Sequence, residues 1–150
     1  MREPFYQLQE KMPHGDAMFP LKVHEVSPDS SFEEKVSCHW HEEMEFLVIT
    51  QGHVSVFIDE ECYEAEPGDI IFIPPDSLHS LSGQTGDEVT FFAVDFKPVL
   101  LYSLWKDAIQ QKYLDRLKQG KVVFPTFIRP QEEWQREMYR LLLQIRETYA

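Results

Sequence analysis

The chain has 150 residues, enough for one domain that buries roughly two-thirds of its unfolded surface. With 14 basic against 26 acidic residues its net charge is −12, which repels phosphate backbones at long range and excludes nucleic acid as a direct partner of this chain. No charged leader with an apolar core opens the sequence and no apolar run approaches about 18 residues, so the expectation is a soluble, cytoplasmic protein without a membrane span.

Residues 1–35 read as an arm with one short strand at Leu21–Val26, punctuated by Pro4, Pro13, Gly15, Pro20 and Pro28. From 36 to 98 short strands alternate with turns: "MEFLVITQG", "HVSVFID", "CYEAE", the turn Pro67–Gly68–Asp69, "IIFIPPDS", "LHSL" and "VTFFAVDF". Strands this short and this regularly spaced predict a sandwich or barrel. Met44, Phe46 and Val48 alternate with Leu47 and Ile49, so both faces of that strand are apolar and its outer face must be covered. In "VTFFAVDF" either Phe91, Ala93 and Asp95 or Phe92, Val94 and Phe96 point inward.

The apolar spacing of residues 99–119 predicts one or two helices ending at Gly120, and these are expected to cover the barrel. An extended stretch, "KVVFPTFIRP", follows. A last helix opens near Pro130 with Glu132 and Glu133 in its first turn, where the helix dipole favours acids. Trp134, Met138, Leu141 and Ile145 form a heptad-like seam on it, expected to pair with a second copy; the helix reads as cut off rather than finished at Ala150. Cys38 and Cys62 are too few for a disulfide scaffold and are expected reduced and half-buried.

The stretch "SCHWHEEMEFLVITQG" carries the chemistry. On one strand, alternation turns His39, His41 and Glu45 to the same face and Trp40 and Met44 to the other. His79, after the turn "PPDS", joins them if its strand pairs with the first. Three imidazoles and one carboxylate suit a divalent transition metal: Zn, Ni, Fe, Mn or Co. Without a metal, the same four residues are the polar lining of a small-molecule pocket. His14, His24 and His53 have no companion at ligand spacing and read as surface or structural histidines. Glu42 and Glu43 read as solvated, and Trp40 as packed beneath the helical tail.

The run His39-x-His41-x3-Glu45-x6-Gly52 resembles the first cupin motif, and Gly68-x5-Pro74-x-Asp76-x2-His79 resembles the second. Glu33 stands where the first motif opens with glycine, and Asp76 and Gly83 replace a glycine and an asparagine of the second. With "FPLKVHEV" before the motifs, "FKP" after them and the helical tail, the chain resembles from Phe19 onward the N-terminal domain of AraC-type transcription regulators.

That resemblance implies a mainly β cupin, a double-stranded β-helix or jelly-roll barrel, followed by C-terminal helices. The whole of 1–150 is then one sensor domain: 1–35 arm and first strand, 36–98 barrel, 99–150 helical dimerisation region. It implies a non-enzymatic sensor that binds a small polar effector, a sugar among the candidates, and homodimerises through the last helix. DNA binding falls to a helix-turn-helix domain absent from this chain. Leu81, Phe91 and Ala93 line the pocket in this reading, and the arm, 1–20, is a candidate lid. Two alternatives carry different chemistry: a metal-dependent cupin enzyme, such as a dioxygenase or sugar isomerase, and a metal-free binding module.

Overall fold

Nine strands, eight of them four residues or longer, pair into two facing antiparallel sheets in the computed structural model, which describes residues 5–26, 36–84, 86–105 and 107–149. The eight longer strands are β1 (Leu21–Val26), β2 (Val36–His39), β3 (Met44–Gln51), β4 (Val54–Ile58), β5 (Glu61–Ala65), β6 (Ile70–Ile73), β7 (His79–Gly83) and β8 (Thr90–Phe96). One sheet runs β1-β8-β3-β6 and continues into the two-residue β9 (Phe127–Ile128); the other runs β2-β7-β4-β5. This crossing order is a jelly roll, the cupin barrel expected from the sequence. Glu33 lies outside the described residues, as do Pro4 and Pro28 of the arm.

Strand parity decides what fills the barrel. Leu47 and Ile49 of β3, Ile71 and Ile73 of β6, and Phe91 and Ala93 of β8 face Val54, Val56 and Leu81 of the opposite sheet in one buried core. Their neighbours in sequence, Val48, Ile70, Phe92, Val94 and Phe96, form a second core on the outer face. Asp95 therefore points inward with Phe91 and Ala93, in register opposite Glu45.

The outer core is covered differently from the expectation. Its lid is α2 (Glu133–Tyr149), through Leu142, Met138, Tyr139 and Leu143, together with Phe124 and Ile128. Residues 99–117 contribute no buried side chain among those described, and Leu104 and Trp105 are exposed, although Leu101, Tyr113, Leu114 and Leu117 face Met44, Phe46, Phe72 and Phe96 across an open groove. Among its described residues that segment holds a 3-10 turn at Pro98–Leu101 and a π-helical turn at Gln110–Leu114 running into α1 (Asp115–Lys118). Gly120, at φ +65°, ends it as expected: the Gly120 and Lys121 amides donate to the carbonyls of Leu117 and Arg116.

The seam of the last helix also divides. Met138 belongs to the domain's own core, while Trp134, Leu141 and Ile145 are exposed. Leu141 and Ile145 border an apolar groove of about 550 Å³ with Phe19, Leu21 and Tyr149. The helix opens at Glu133, where the Gln135 side chain caps it by accepting from the Gln131 and Glu132 amides at 2.9 Å. No helix of the described residues is long and apolar enough to cross a membrane.

Two turn positions bear on the motifs. Gly52 has φ +76°, and a Cβ there would lie 2.6 Å from the Glu88 carbonyl oxygen, so the glycine closing the first motif has no substitute. Asp76 sits at φ +62°, the conformation that the glycine it replaces would adopt freely. The departure keeps the turn, at some cost in strain. Cys38 and Cys62 are free, and both are exposed rather than half-buried.

Candidate functional site

The histidine run does not lie on one strand. β2 ends at His39 in one sheet and β3 begins at Met44 in the other, so residues 40–43 carry the chain across the barrel. That crossing supplies the bend that three ligands on a straight strand would lack. His79 opens β7 directly opposite His39, and their rings lie 4.1 Å apart between centroids. The Asp76 amide donates to the His41 carbonyl at 2.8 Å, tying the second motif to the first.

The ligating atoms of His39, His41 and His79 lie within 4.8 Å of one another. Glu45 Oε2 is 3.1 Å from His41 Nε2 and 3.3 Å from His79 Nε2. Each imidazole is held from behind by a backbone carbonyl. Nδ1–H of His39 donates to Ser37 at 2.8 Å, that of His41 to Glu43 at 3.2 Å, and that of His79 to Ser77 at 2.9 Å. A carbonyl only accepts, so in the neutral ring the proton sits on Nδ1 and the Nε2 lone pair faces the cavity. Nε2 of His79 is buried without any hydrogen bond, its approach to Glu45 being poorly aligned.

Electrostatics at the site are tightly paired. Burial works against the Glu45 carboxylate, yet its contacts with His41 and His79 hold it well below the ordinary range. Burial likewise opposes charge on His41, but Glu45 raises it above its usual value. Burial and the neighbouring His79 lower His39.

The cavity these residues share has a volume of about 160 Å³. Leu81, Phe91 and Ala93 line it with Val26, Val36 and Met12. Four further polar residues complete the wall: Glu10, His14 and His24, which the sequence reading left out, and Asp95, which one of its two parities for β8 turned inward. His14 and His24 are therefore neither isolated nor on the surface. His14 is 6 % exposed, packed against Asp95 and Glu10, and burial opposing its charge is outweighed by those two carboxylates, which push it up to about 10. The usable signal was parity: Asp95 shares its face with Phe91 and Ala93, and His24 shares its face with Val26.

Three smaller expectations are revised or kept. Glu43 is buried and not solvated, because the turn at 40–43 folds it inward. Trp40 does not meet the helical tail; its ring stacks on Phe5 at 4.8 Å and its Nε1–H donates to the Phe5 carbonyl at 2.7 Å. His53 is exposed, 3.5 Å from Asp87. Through Trp40 and the Gln9–Trp40 bridge the arm is fastened across the cavity mouth, which brings Glu10, Met12 and His14 into the wall.

The barrel, the two motifs in register and the tail helix folded back on the sheet agree with one comparison in particular. The sequence model of the AraC-like ligand binding domain matches residues 27–148. The chain belongs to that family. Within 105 residues it is 27% identical to an uncharacterised HTH-type transcriptional regulator, YdeC, of Bacillus subtilis, over 69% of this chain and 36% of that protein. The AraC-like domain thus spans about a third of the regulator it matches. Among solved structures it is similar to a cupin superfamily protein of Desulfitobacterium hafniense, with TM-score 0.47 and 17% identity over 57% of this chain and 74% of that one. It is also similar to an RmlC-like cupin of Methanocaldococcus jannaschii, with TM-score 0.46 and 15% identity over 51% and 70% of the two chains.

Proposed function

We propose that this AraC-like domain is the sensing and dimerising part of a transcription regulator, and that its barrel binds a small polar effector beside a divalent transition metal. The observation that carries the metal is the set of three clustered imidazoles, each held at Nδ1 by a backbone carbonyl, with the buried Glu45 carboxylate against two of them, His41 and His79. Neutral Nε2 of His41 facing an acceptor oxygen at 3.1 Å is repulsive unless a cation lies between them or His41 takes a second proton. His79 Nε2, buried and without a hydrogen bond, asks for the same partner. The donor set fits Zn, Ni, Fe, Mn or Co, held by His39, His41, His79 and Glu45. Bound there, such a metal supplies a Lewis-acidic position for an oxygen of the effector.

The remaining work falls to the chain itself. A cavity of about 160 Å³ is below the roughly 300–1,000 Å³ of ordinary ligand pockets, so an effector as large as a sugar enters only when the arm moves. Arm position then becomes the variable that effector binding shifts. The exposed side chains Trp134, Leu141 and Ile145 on α2 supply the surface for a second copy, and DNA binding belongs to a separate domain of the regulator. The complete ligand set would also serve a metal-dependent cupin enzyme, a dioxygenase or sugar isomerase. Sensing is preferred because the arm closes the cavity and the family is a ligand-binding one.

The test is elemental analysis of the purified protein beside His41→Ala and His79→Ala. Near-stoichiometric metal, lost in both variants, supports the reading. A metal-free wild type that stays metal-free after incubation with each of the five ions removes the metal from it.

A further inference from the structure

The cavity wall holds a second cluster that shares no ligand with His39, His41, Glu45 and His79. We propose that His14, His24 and Asp95 bind a divalent transition cation of their own, which fastens the N-terminal arm to the barrel. This inference stands or falls independently of the metal site proposed above.

The first argument is the geometry. His14 Nδ1, His24 Nε2 and Asp95 Oδ2 form a triangle whose three edges are all 3.1 Å. An ion equidistant from three such atoms would lie about 2.2 Å from each at adjacent corners of an octahedron, and about 1.9 Å from each at corners of a tetrahedron. Those values bracket the ordinary nitrogen and oxygen distances of Zn and its neighbours. Two imidazoles and one carboxylate on a single face leave the opposite positions open to the cavity.

The tautomer points the same way. Glu10 Oε2 accepts from His14 Nε2–H at 3.0 Å, which leaves the Nδ1 lone pair aimed into the triangle. A carboxylate behind a histidine is the usual outer support of a metal ligand.

Charge supplies the third argument. Asp95 and Glu45 stand directly opposite each other on neighbouring strands, 3 % and 7 % exposed. Like charges in that relation repel, and burial removes the water that would screen them. Asp95 Oδ1 is buried with no hydrogen bond. One ligand atom from each of His41, Glu45 and Asp95 also falls within 4.8 Å of the others, so the two cation sites adjoin across this pair of carboxylates.

Position gives the site its role. His14 and Glu10 come from the arm, whereas His24 lies on β1 and Asp95 on β8. A cation in the triangle therefore links the closing segment to the barrel, and the arm stays down only while the cation or a proton is held.

Co(II) is the probe: metal-free protein is titrated at pH 7.5, bound metal is counted by equilibrium dialysis, and trypsin cleavage after the exposed Lys11 is timed. The expected result is two equivalents in the wild type. His79→Gln should retain one, which the further change His24→Gln removes. Co(II) should slow cleavage at Lys11 at least tenfold in the wild type and in His79→Gln, and not in His24→Gln. A wild type that binds one equivalent, lost in His79→Gln and kept in His24→Gln, overturns this site and leaves the first standing. Two equivalents in the wild type, with cleavage at Lys11 no slower in Co(II) than without it, overturn the arm linkage, and a wild type that binds none overturns both sites.

Discussion

His41 Nε2 and Glu45 Oε2 lie 3.1 Å apart, although the four residues between β2 and β3 carry the chain from one sheet of the barrel to the other. The contact closes the corner of the barrel where the two sheets meet. Because both groups are buried, it couples the shape of the corner to its charge.

Removing that carboxylate should therefore destabilise the metal-free protein. Taking one partner from a buried pair leaves the other uncompensated, so Glu45→Ala is expected to lower stability by about 3 kcal/mol at pH 6, with Glu45→Gln losing less. Urea unfolding in EDTA measures both. A loss below about 0.5 kcal/mol for Glu45→Ala would show that the pair is not charged in the metal-free barrel.

The pH profile follows from the shifts of Glu45, His41, His14 and His39. Glu45 is lowered from 4.5, so its contribution is present above pH 4.5 and disappears as pH falls through its folded pKa. His41 is raised from 6.5, so its contribution is complete below pH 6.5 and fades as pH rises through its folded pKa. His14, raised to about 10, behaves likewise between 6.5 and 10. His39, lowered from 6.5, works the other way and takes stability away as pH falls below 6.5, so the metal-free protein should be most stable near pH 6.5 and decline above that, by at most about 1.4 kcal/mol per pH unit for each proton released. Melting curves in EDTA from pH 4 to 10 give the profile. A maximum at pH 8 would contradict it.

Metal affinity should run in the opposite sense. Coordination needs neutral imidazole, and His41 keeps its proton above the usual value. Zn(II) affinity should fall below about pH 6 and continue to rise above pH 7 instead of reaching its plateau there. Competition with a chelator across pH 5 to 9 measures this, and a flat response down to pH 5 would exclude histidine ligation.

Trp40→Ala should release the arm without unfolding the barrel. The substitution loses the stack on Phe5 and the Nε1–H bond, together about 2 kcal/mol, or roughly thirtyfold in the opening equilibrium of the arm. Cleavage at Lys11 in EDTA should accelerate accordingly while the melting transition stays cooperative. Unchanged cleavage would mean that the backbone bridge to Gln9 suffices.

On α2, neighbouring leucines should behave differently. Leu142, 4 % exposed beneath the helix, should cost about 2–4 kcal/mol when truncated to alanine. Leu141, 45 % exposed, should change monomer stability by no more than about 0.5 kcal/mol but weaken self-association. Sedimentation of both variants at several concentrations separates the effects. Association equal to wild type in Leu141→Ala would remove that face from the dimer.

By itself the sequence determined what is periodic or spaced along the chain. Turn residues and alternating strands marked the barrel, two motifs marked His39, His41, Glu45 and His79, and Gly52 and Gly120 marked a turn and a helix end. These signals are local, written within a few residues by side-chain alternation and by the few conformations glycine alone adopts freely. Tertiary structure alone decided the rest. Whether residues 99–117 or α2 covers the outer sheet depends on which apolar face lies within reach, and composition does not encode reach. The parity of β8 was settled by pairing Glu45 with Asp95, a contact fifty residues apart in sequence. His14, His24 and Asp95 carry no ligand spacing at all. They meet because the arm returns over the barrel mouth, where a buried carboxylate pair makes cationic partners favourable.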